Sequence, residues 1–274
     1  MLILRDLYVR YKKSRYPALN KISFEHNKPG ILLIAGRSGG GKSTLARCLF
    51  GLIPHFFDAE VHGYINILGI NPIKTGPQPL ARKVGFVSQN PEMFISALTV
   101  EEEIISPLSN TGVIREEMIN RLKKLAEIFE LGGILDKPTL EISAGQMQKV
   151  AIASALALDP KILVLDEPFA RLDGYNSLLV LRILQKIAKE KLVIIFEHHL
   201  DFVLPYADRV IVLEAGRIIA DGKPSDVITF LEDVDLPEIT EAFLEFKRMI
   251  DKIPLTPNEA LEVIKNYTIK KRLV

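Results

Sequence analysis

Short, unbroken apolar runs punctuate the chain. Ile31-Leu32-Leu33-Ile34-Ala35 is one, and residues 162–165, 192–196 and 210–213 are three more of the same texture. Such a run, with no polar alternation, is the pattern of a parallel strand covered on both faces. Val84-Gly85-Phe86-Val87-Ser88 reads as a further strand, and the segment Thr44–Leu52 reads as a helix. Strands alternating with helical stretches predict βαβ units and a mostly parallel sheet. Residues 2–11 and 22–26 read as shorter strands, and Gly63 and Gly69 flank another, Tyr64–Leu68.

Between Gln89 and Asp159 the texture turns helical. Thr99-Val100-Glu101-Glu102 has the form of a capping box, with Glu103 adding negative charge to the same first turn. Residues 115–130 carry Met118, Leu122, Leu125 and Phe129 at helical spacing, the mark of a core-facing stripe. A second helix is expected to start near Ser143 and to stop before Asp159-Pro160. After Gly222 the pattern becomes an acidic amphipathic helix over Ser225–Ile250. Thr256-Pro257-Asn258-Glu259 then opens a last short helix, with Thr256 as cap and Glu259 completing the box. The basic end, Lys270-Lys271-Arg272, reads as a solvated tail, and no internal repeat is present.

Composition narrows the possibilities. A length of 274 residues is enough for one large α/β domain with a small appendage. Lys and Arg total 35 against 34 Asp and Glu, a net charge of +1, which argues against a nucleic-acid partner. Cys48 is the single cysteine, so no intrachain disulfide can form and a reducing cytosol is expected. No apolar run approaches the ~18 residues that span a bilayer, and the first residues do not resemble a signal peptide. If the protein works at a membrane, other chains are expected to supply the membrane part.

Gly36-Arg37-Ser38-Gly39-Gly40-Gly41-Lys42-Ser43-Thr44 fits the phosphate-binding pattern G-x-x-x-x-G-K-[ST]. Gly36, Gly39, Gly40 and Gly41 let the backbone wrap closely around an anion, with N–H groups aimed at phosphate oxygens at a helix N-terminus. Lys42 is expected to reach the β- and γ-phosphates, and the Ser43 hydroxyl to ligate Mg²⁺. An ordinary glycine-rich turn is the plainer reading, but here an apolar strand precedes the loop and a helix follows it. Leu163-Val164-Leu165-Asp166-Glu167 sets two carboxylates at the C-terminal tip of a buried strand. Asp166 is expected to hold Mg²⁺ through water, and Glu167 to orient and deprotonate an attacking water.

Further motifs complete an ordered set: Ile142-Ser143-Ala144-Gly145-Gln146 before the acidic pair and Glu197-His198 after it. With these in order, the chain resembles the nucleotide-binding subunit of an ABC transporter over about residues 1–225. The resemblance implies an α/β fold of the P-loop NTPase type. It would have a mostly parallel sheet, an antiparallel β subdomain, a helical subdomain inserted over about residues 90–158, and a C-terminal helical extension over 226–274 that aids dimerisation. The activity implied is ATP hydrolysis, with ATP and Mg²⁺ bound.

The same resemblance gives further residues their roles. Gln89 touches Mg²⁺ and the water, His198 senses the γ-phosphate, and Tyr11, 25 residues before Gly36, stacks on adenine. Ser38 and Thr44 join the nucleotide-binding loop. Ser143, Gly145 and Gln146 belong to the signature segment, which caps the γ-phosphate held by a second ATPase subunit. Ala144 departs from the usual glycine, and Ala170-Arg171-Leu172-Asp173 departs from the usual dimer-contacting loop except in its last two residues. These departures suit a paralogous partner, with a second copy of the same chain as the alternative. His199 is given no role.

Gly51-Leu52-Ile53-Pro54-His55, Gln89-Asn90-Pro91-Glu92 and Glu197-His198 in place of a Thr-His pair look like the ATPases of energy-coupling-factor importers. That likeness implies a transmembrane coupling protein and a substrate-binding membrane protein as partners. It also implies uptake of a vitamin or transition-metal ion, and a peripheral place on the cytoplasmic face of the membrane. An ATPase of another ABC importer class, or a non-transport ABC ATPase or nucleotide-dependent structural subunit, is the alternative.

Overall fold

The computed structural model describes residues 1–231, 236–247, 250 and 252–272, with side chains as far as residue 266. Its elements are β1 (Leu2–Tyr11), β2 (Leu19–His26), β3 (Gly30–Ala35), α1 (Lys42–Leu49), β4 (Ala59–Ile67), α2 (Pro72–Thr75), β5 (Val84–Val87), α3 (Val100–Asn110), α4 (Arg115–Ile128) and α5 (Ala144–Leu156). There follow β6 (Ile162–Asp166), α6 (Gly174–Ala188), β7 (Leu192–Glu197), β8 (Arg209–Glu214), β9 (Arg217–Gly222), α7 (Pro224–Val227), α8 (Glu238–Leu244) and α9 (Pro257–Arg272).

Among the described residues two sheets form. One has six strands in the order β5-β6-β7-β3-β8-β9, parallel except for β9, and the other is antiparallel, in the order β2-β1-β4. Period-two alternation sends the buried runs to opposite faces. Ile31, Leu33, Val193 and Ile195 point into a cluster shared with Ile104, Leu125, Phe129, Val150 and Leu184 of the helices. Leu32, Ile34, Ile194 and Phe196 point the other way, into a cluster with Leu45 and Leu49 of α1 and with Leu4, Leu7 and Ile22 of the antiparallel sheet. Both faces of the parallel strands are therefore covered, which is why their sequence shows no alternation. This is the α/β class of the P-loop NTPases.

Within residues 90–158, α3 starts at a Thr99 capping box in which Glu102 N donates to Thr99 Oγ1 and Thr99 N to Glu102 Oε2. Ser143 and Gln146 cap α5 in the same reciprocal way.

Three strand and helix expectations need correction, and one further strand, β9, joins the sheet. Strand β2 begins at Leu19, three residues before the segment read as a strand, because Lys21 takes a left-handed φ of 58° and breaks the alternation. Strand β4 begins at Ala59 and runs through Gly63, whose φ of 92° lies at a register shift opposite Arg5–Tyr8, so that glycine marks a bulge and not a boundary. β9 carries no apolar run; it pairs with β8 through a tight turn at Ala215-Gly216, both at positive φ. The single helix expected over Ser225–Ile250 is instead α7, a 3-10 turn at Ile228–Phe230, and α8, which starts after Pro237. The remainder of that expected helix includes residues 232–235 and 248–249, which lie outside the described residues.

The last helix, α9, is longer than expected. Glu259 Oε2 accepts the N–H of Leu255, one residue before the cap, so the box is not closed in the form read from sequence. The side chains of Lys270, Lys271 and Arg272 lie outside those described.

Phe129 is fully buried where α4 ends against the sheet's helical face. Phe129→Ala should destabilise the chain by about 3–5 kcal/mol, through lost burial and the cavity left behind. Denaturant unfolding of wild type and variant measures this directly.

Candidate functional site

The parallel strands β5, β6, β7 and β3 lie side by side, and their C-terminal ends share one edge of the sheet. Each delivers a segment there: Gln89 follows β5, Asp166 ends β6 with Glu167 next, Glu197 ends β7 with His198 next, and Gly36 follows β3. Open α/β sheets bind their ligands at such an edge.

Close packing shapes the phosphate loop. A Cβ on Gly36 would lie 2.1 Å from the carbonyl oxygen of Leu213, and one on Gly41 2.5 Å from that of Ala18. Both residues also sit at positive φ, 149° and 104°. No side chain fits at either position. Gly216 N donates to Gly40 O at 3.0 Å, tying the loop to the β8–β9 turn. Lys42, at the start of α1, folds back into the loop: its Nζ donates to Gly36 O at 2.5 Å and to Arg37 O at 3.0 Å. Burial lowers its pKa, against the opposing pull of Glu167, Glu197 and Asp166. Ser38 and Gly39 are exposed at the crest of the loop.

Ser43 Oγ donates to Asp166 Oδ1 at 3.2 Å. Burial pushes the Asp166 carboxyl up to about 6, although the Ser43 hydrogen bond pulls the other way. Glu167 takes a left-handed φ of 51°, which few side chains other than glycine adopt, and its N–H is held by Phe196 O at 2.8 Å. Its carboxylate is engaged on both oxygens. Gln89 Nε2 donates to Oε2 at 2.6 Å, and His198 Nδ1 lies 3.1 Å from Oε1. Gln89, Glu167 and His198 are thus brought together, as are Lys42, Ser43 and Asp166.

Tyr11 ends β1, and its hydroxyl lies 3.2 Å from Thr44 Oγ1 and accepts from Arg47 Nη1 at 3.4 Å. Ser143, Gly145 and Gln146 sit elsewhere, at the N-terminus of α5, with the Ser143 and Gln146 side chains engaged in the cap. Among the described residues no hydrogen bond joins them to the phosphate loop.

Two features have no signature in the sequence. Glu197 is fully buried; its Oε1 accepts the N–H of His198 at 2.9 Å and of His199 at 3.2 Å, while Oε2 has no partner among the described residues. Burial pushes its carboxyl up to about 7. Arg171 reaches back to the segment after Gln89, pairing with Glu92 and donating from Nη2 to Asn90 Oδ1 at 2.5 Å. An acid at the end of an apolar run and an arginine in a loop show these roles only once their neighbours are known.

The donor set at Ser43 and Asp166 suits Mg²⁺, a hard cation that takes oxygen ligands and keeps few from protein when phosphates supply the rest.

A phosphate loop at a helix N-terminus, with a buried acidic pair at the tip of β6, two strands along the sheet from β3, defines a P-loop nucleoside triphosphatase. Residues 19–170 match the family described as ABC transporter. An ABC transporter ATP-binding protein of Pyrococcus horikoshii is 37% identical over 271 residues, covering 96% of this chain and 95% of that one. A relative in Caldanaerobacter subterraneus subsp. tengcongensis is 39% identical over 86% of this chain, but the match spans only 42% of its own length.

Among solved structures, a dimeric ATP-binding cassette in a post-hydrolysis state with ADP and Pi superposes with a TM-score of 0.71 at 26% identity, covering 82% of this chain and 99% of that one. The structure of cbiO1 from Clostridium perfringens, part of the ABC transporter complex cbiONQ, superposes with a TM-score of 0.70 at 28% identity, covering 90% and 96%. The chain belongs to the ABC transporter ATP-binding family. It is an ATPase subunit whose hydrolysis of ATP is coupled to transport, and proteins of this family act as dimers with membrane components. No helix of the described residues is long and apolar enough to cross a membrane.

The raised Glu197 pKa has a thermodynamic consequence. Between pH ~4.5 and ~7 the unfolded chain has released this proton while the folded chain still holds it, so this group's contribution to stability falls as pH rises through that window. Glu197→Gln keeps an acceptor but cannot ionise. The stability of the variant relative to wild type should therefore increase from pH 4.5 to 7.5, on the order of 2–3 kcal/mol, as read by thermal or denaturant unfolding across that range.

Proposed function

We propose that this chain is an ATPase of an energy-coupling-factor importer, powering uptake of a vitamin or transition-metal ion at the cytoplasmic face of the membrane. The similarity to cbiO1 carries this reading. Coverage rises from 82% of the chain for the dimeric cassette to 90% for cbiO1. The added length is what a shared extension beyond about residue 226 would give.

In this reading the loop at Gly36, Ser38, Gly39, Gly40 and Gly41 cradles the triphosphate of ATP, with Ser43 and Thr44 at the start of α1. Lys42 leaves the Gly36 and Arg37 carbonyls to meet the β- and γ-phosphates. Tyr11 presents its ring to adenine while its hydroxyl stays with Thr44 and Arg47. Ser43, Asp166 and Gln89 would hold Mg²⁺, which would supply charge neutralisation at the phosphates. Glu167 takes a proton from the attacking water. Gln89 Nε2 donates to the Glu167 carboxylate at 2.6 Å and so helps to orient that base. His198 reports the γ-phosphate from the opposite side of Glu167.

The α5 N-terminus, with Ser143, Gly145 and Gln146, serves the nucleotide of a second ATPase subunit. Relatives such as the Caldanaerobacter protein, of which this chain matches 42%, are long enough to contain a second unit of similar size, which supports pairing with a non-identical cassette. The departure at Arg171 carries less weight for that partner, since Glu92 and Asn90 account for it within the chain. For the membrane components, a cavity of about 290 Å³ opens beside Gln89, between Phe86, Ser88, Phe94, Glu103, Ala151 and Leu158. In the same stretch of chain, Met93 and Leu98 are about four-fifths exposed. An apolar opening of that kind fits a helix from a transmembrane coupling protein, with a substrate-binding membrane protein completing the assembly.

Glu167→Gln should bind ATP with near wild-type affinity yet lose turnover by at least about 10²-fold, while Lys42→Ala should lose both. Equilibrium nucleotide binding and steady-state phosphate release separate the two. Near wild-type hydrolysis by the Gln variant would remove Glu167 from the role of base.

Isolating the Glu167→Gln chain from its native membranes in Mg-ATP, and identifying what co-purifies, tests the transporter type. A second cassette with a coupling protein and a small substrate-binding membrane protein is the expected set. Recovery with an extracytoplasmic-receptor importer instead would move the chain to another ABC class.

A further inference from the structure

Among the described residues no carboxylate other than Glu197 is fully removed from solvent. Burying such a group is costly unless its oxygens are hydrogen-bonded, and only one of the two is. The bonded oxygen accepts two backbone N–H groups, so its geometry is the informative part.

Strand β7 is hydrogen-bonded on both sides, and Glu197 pairs in register with Ala35, the residue that leads into the phosphate loop. The backbone of Glu197 is thereby fixed to the same frame as the loop. Its Oε1 then holds the next two N–H groups, at 2.9 and 3.2 Å, and lies 3.4 Å from His198 Nδ1. One residue earlier in β7, Phe196 O holds the N–H of Glu167, just past the end of β6, at 2.8 Å. The two tips are thus pinned from the same place in β7, and His198 Nδ1 comes to rest 3.1 Å from Glu167 Oε1.

We propose that Glu197 is a positioning residue for hydrolysis, clamping the two N–H groups after β7 so that the His198 ring is presented to Glu167 and to the terminal phosphate. The inference rests on the roles proposed above for His198 and Glu167. What the clamp requires is an acceptor oxygen at the end of a side chain of glutamate length; it does not require a charge. A hydroxyl on a shorter side chain would have to hold the loop differently.

Four variants of the full chain, assembled with the membrane partners that co-purify with it, decide the matter: Glu197→Met, Glu197→Gln, His198→Ala and the double variant Glu197→Met/His198→Ala. Met keeps the volume and removes the acceptor. It should lower turnover about 10²-fold, as a catalytic group displaced by about an ångström does, with KM for ATP unchanged. Gln should restore turnover to within about threefold of wild type, because its carbonyl accepts the same N–H groups. The double variant should be no slower than His198→Ala alone, since the clamp acts through that ring.

Wild-type turnover in Glu197→Met, or equal loss in Met and Gln, would overturn the clamp while leaving the roles of His198 and Glu167 intact. A His198→Ala variant with undiminished turnover would take down the reading of the site and the clamp with it. Should the Met variant fail to fold, Glu197→Gln decides alone: turnover as low as His198→Ala refutes the clamp, and recovery supports it.

Discussion

A loop that offers its backbone to a phosphate must stay free of side chains on the side where the protein packs against it. That constraint organises the molecule around Gly36 and Gly41. The first is pressed against the Leu213 carbonyl of β8, and the second against the Ala18 carbonyl just before β2. Gly216, in the β8–β9 turn, is equally close to Ala18, and its carbonyl accepts the N–H of Asn20 at 2.7 Å. The loop is thus wedged between the six-stranded sheet and the antiparallel one. The antiparallel sheet carries Tyr11, so the same wedge fixes where that ring stands relative to Lys42 and Thr44. Substituting either glycine would shift two sheets, and not merely one turn.

Charge is the second organising term. Asp166, Glu167 and Glu197 lie at adjacent strand ends, with Lys42 and His198 among them. Desolvation raises Asp166 and Glu197, which means that the site holds these acids at a cost. A cation held between Ser43 and Asp166, as proposed above, would relieve part of it. Because a ligand that binds only the folded chain stabilises it by mass action, nucleotide and the proposed metal together would act as folding ligands as well as reactants.

Much of this was legible before any coordinates. The apolar runs of β3, β6 and β7 could be read because both faces of a parallel sheet are covered, and the boxes at Thr99 and Ser143 because capping is a local interaction between residues three apart. The phosphate loop and the Asp166-Glu167 pair were legible for a similar reason: chemistry fixes their residue types and spacing. Illegible elements depend on partners far away in sequence. The start of β2 is hidden by the left-handed Lys21, and the first half of β4 by its bulge at Gly63. Strand β9 exists because β8 offers it an edge. Glu197 was visible only as the residue before a histidine; its burial and its hold on two N–H groups arise from β3 and β6 flanking it.

The link from Arg171 to Glu92 and Asn90 joins two stretches 79 or more residues apart in sequence. One lies just after Gln89, within the helical stretch, and the other lies outside it, in the loop ahead of α6. Exchanging the helical stretch as a module would be the way to move the membrane contact proposed above to another chain. The arginine sets a limit on where such a cut can fall. A graft that brings in residues 90–158 from a relative parts Arg171 from its acid, leaving a cation facing whatever the donor carries at that position, so the loop at 170–173 has to travel with the module.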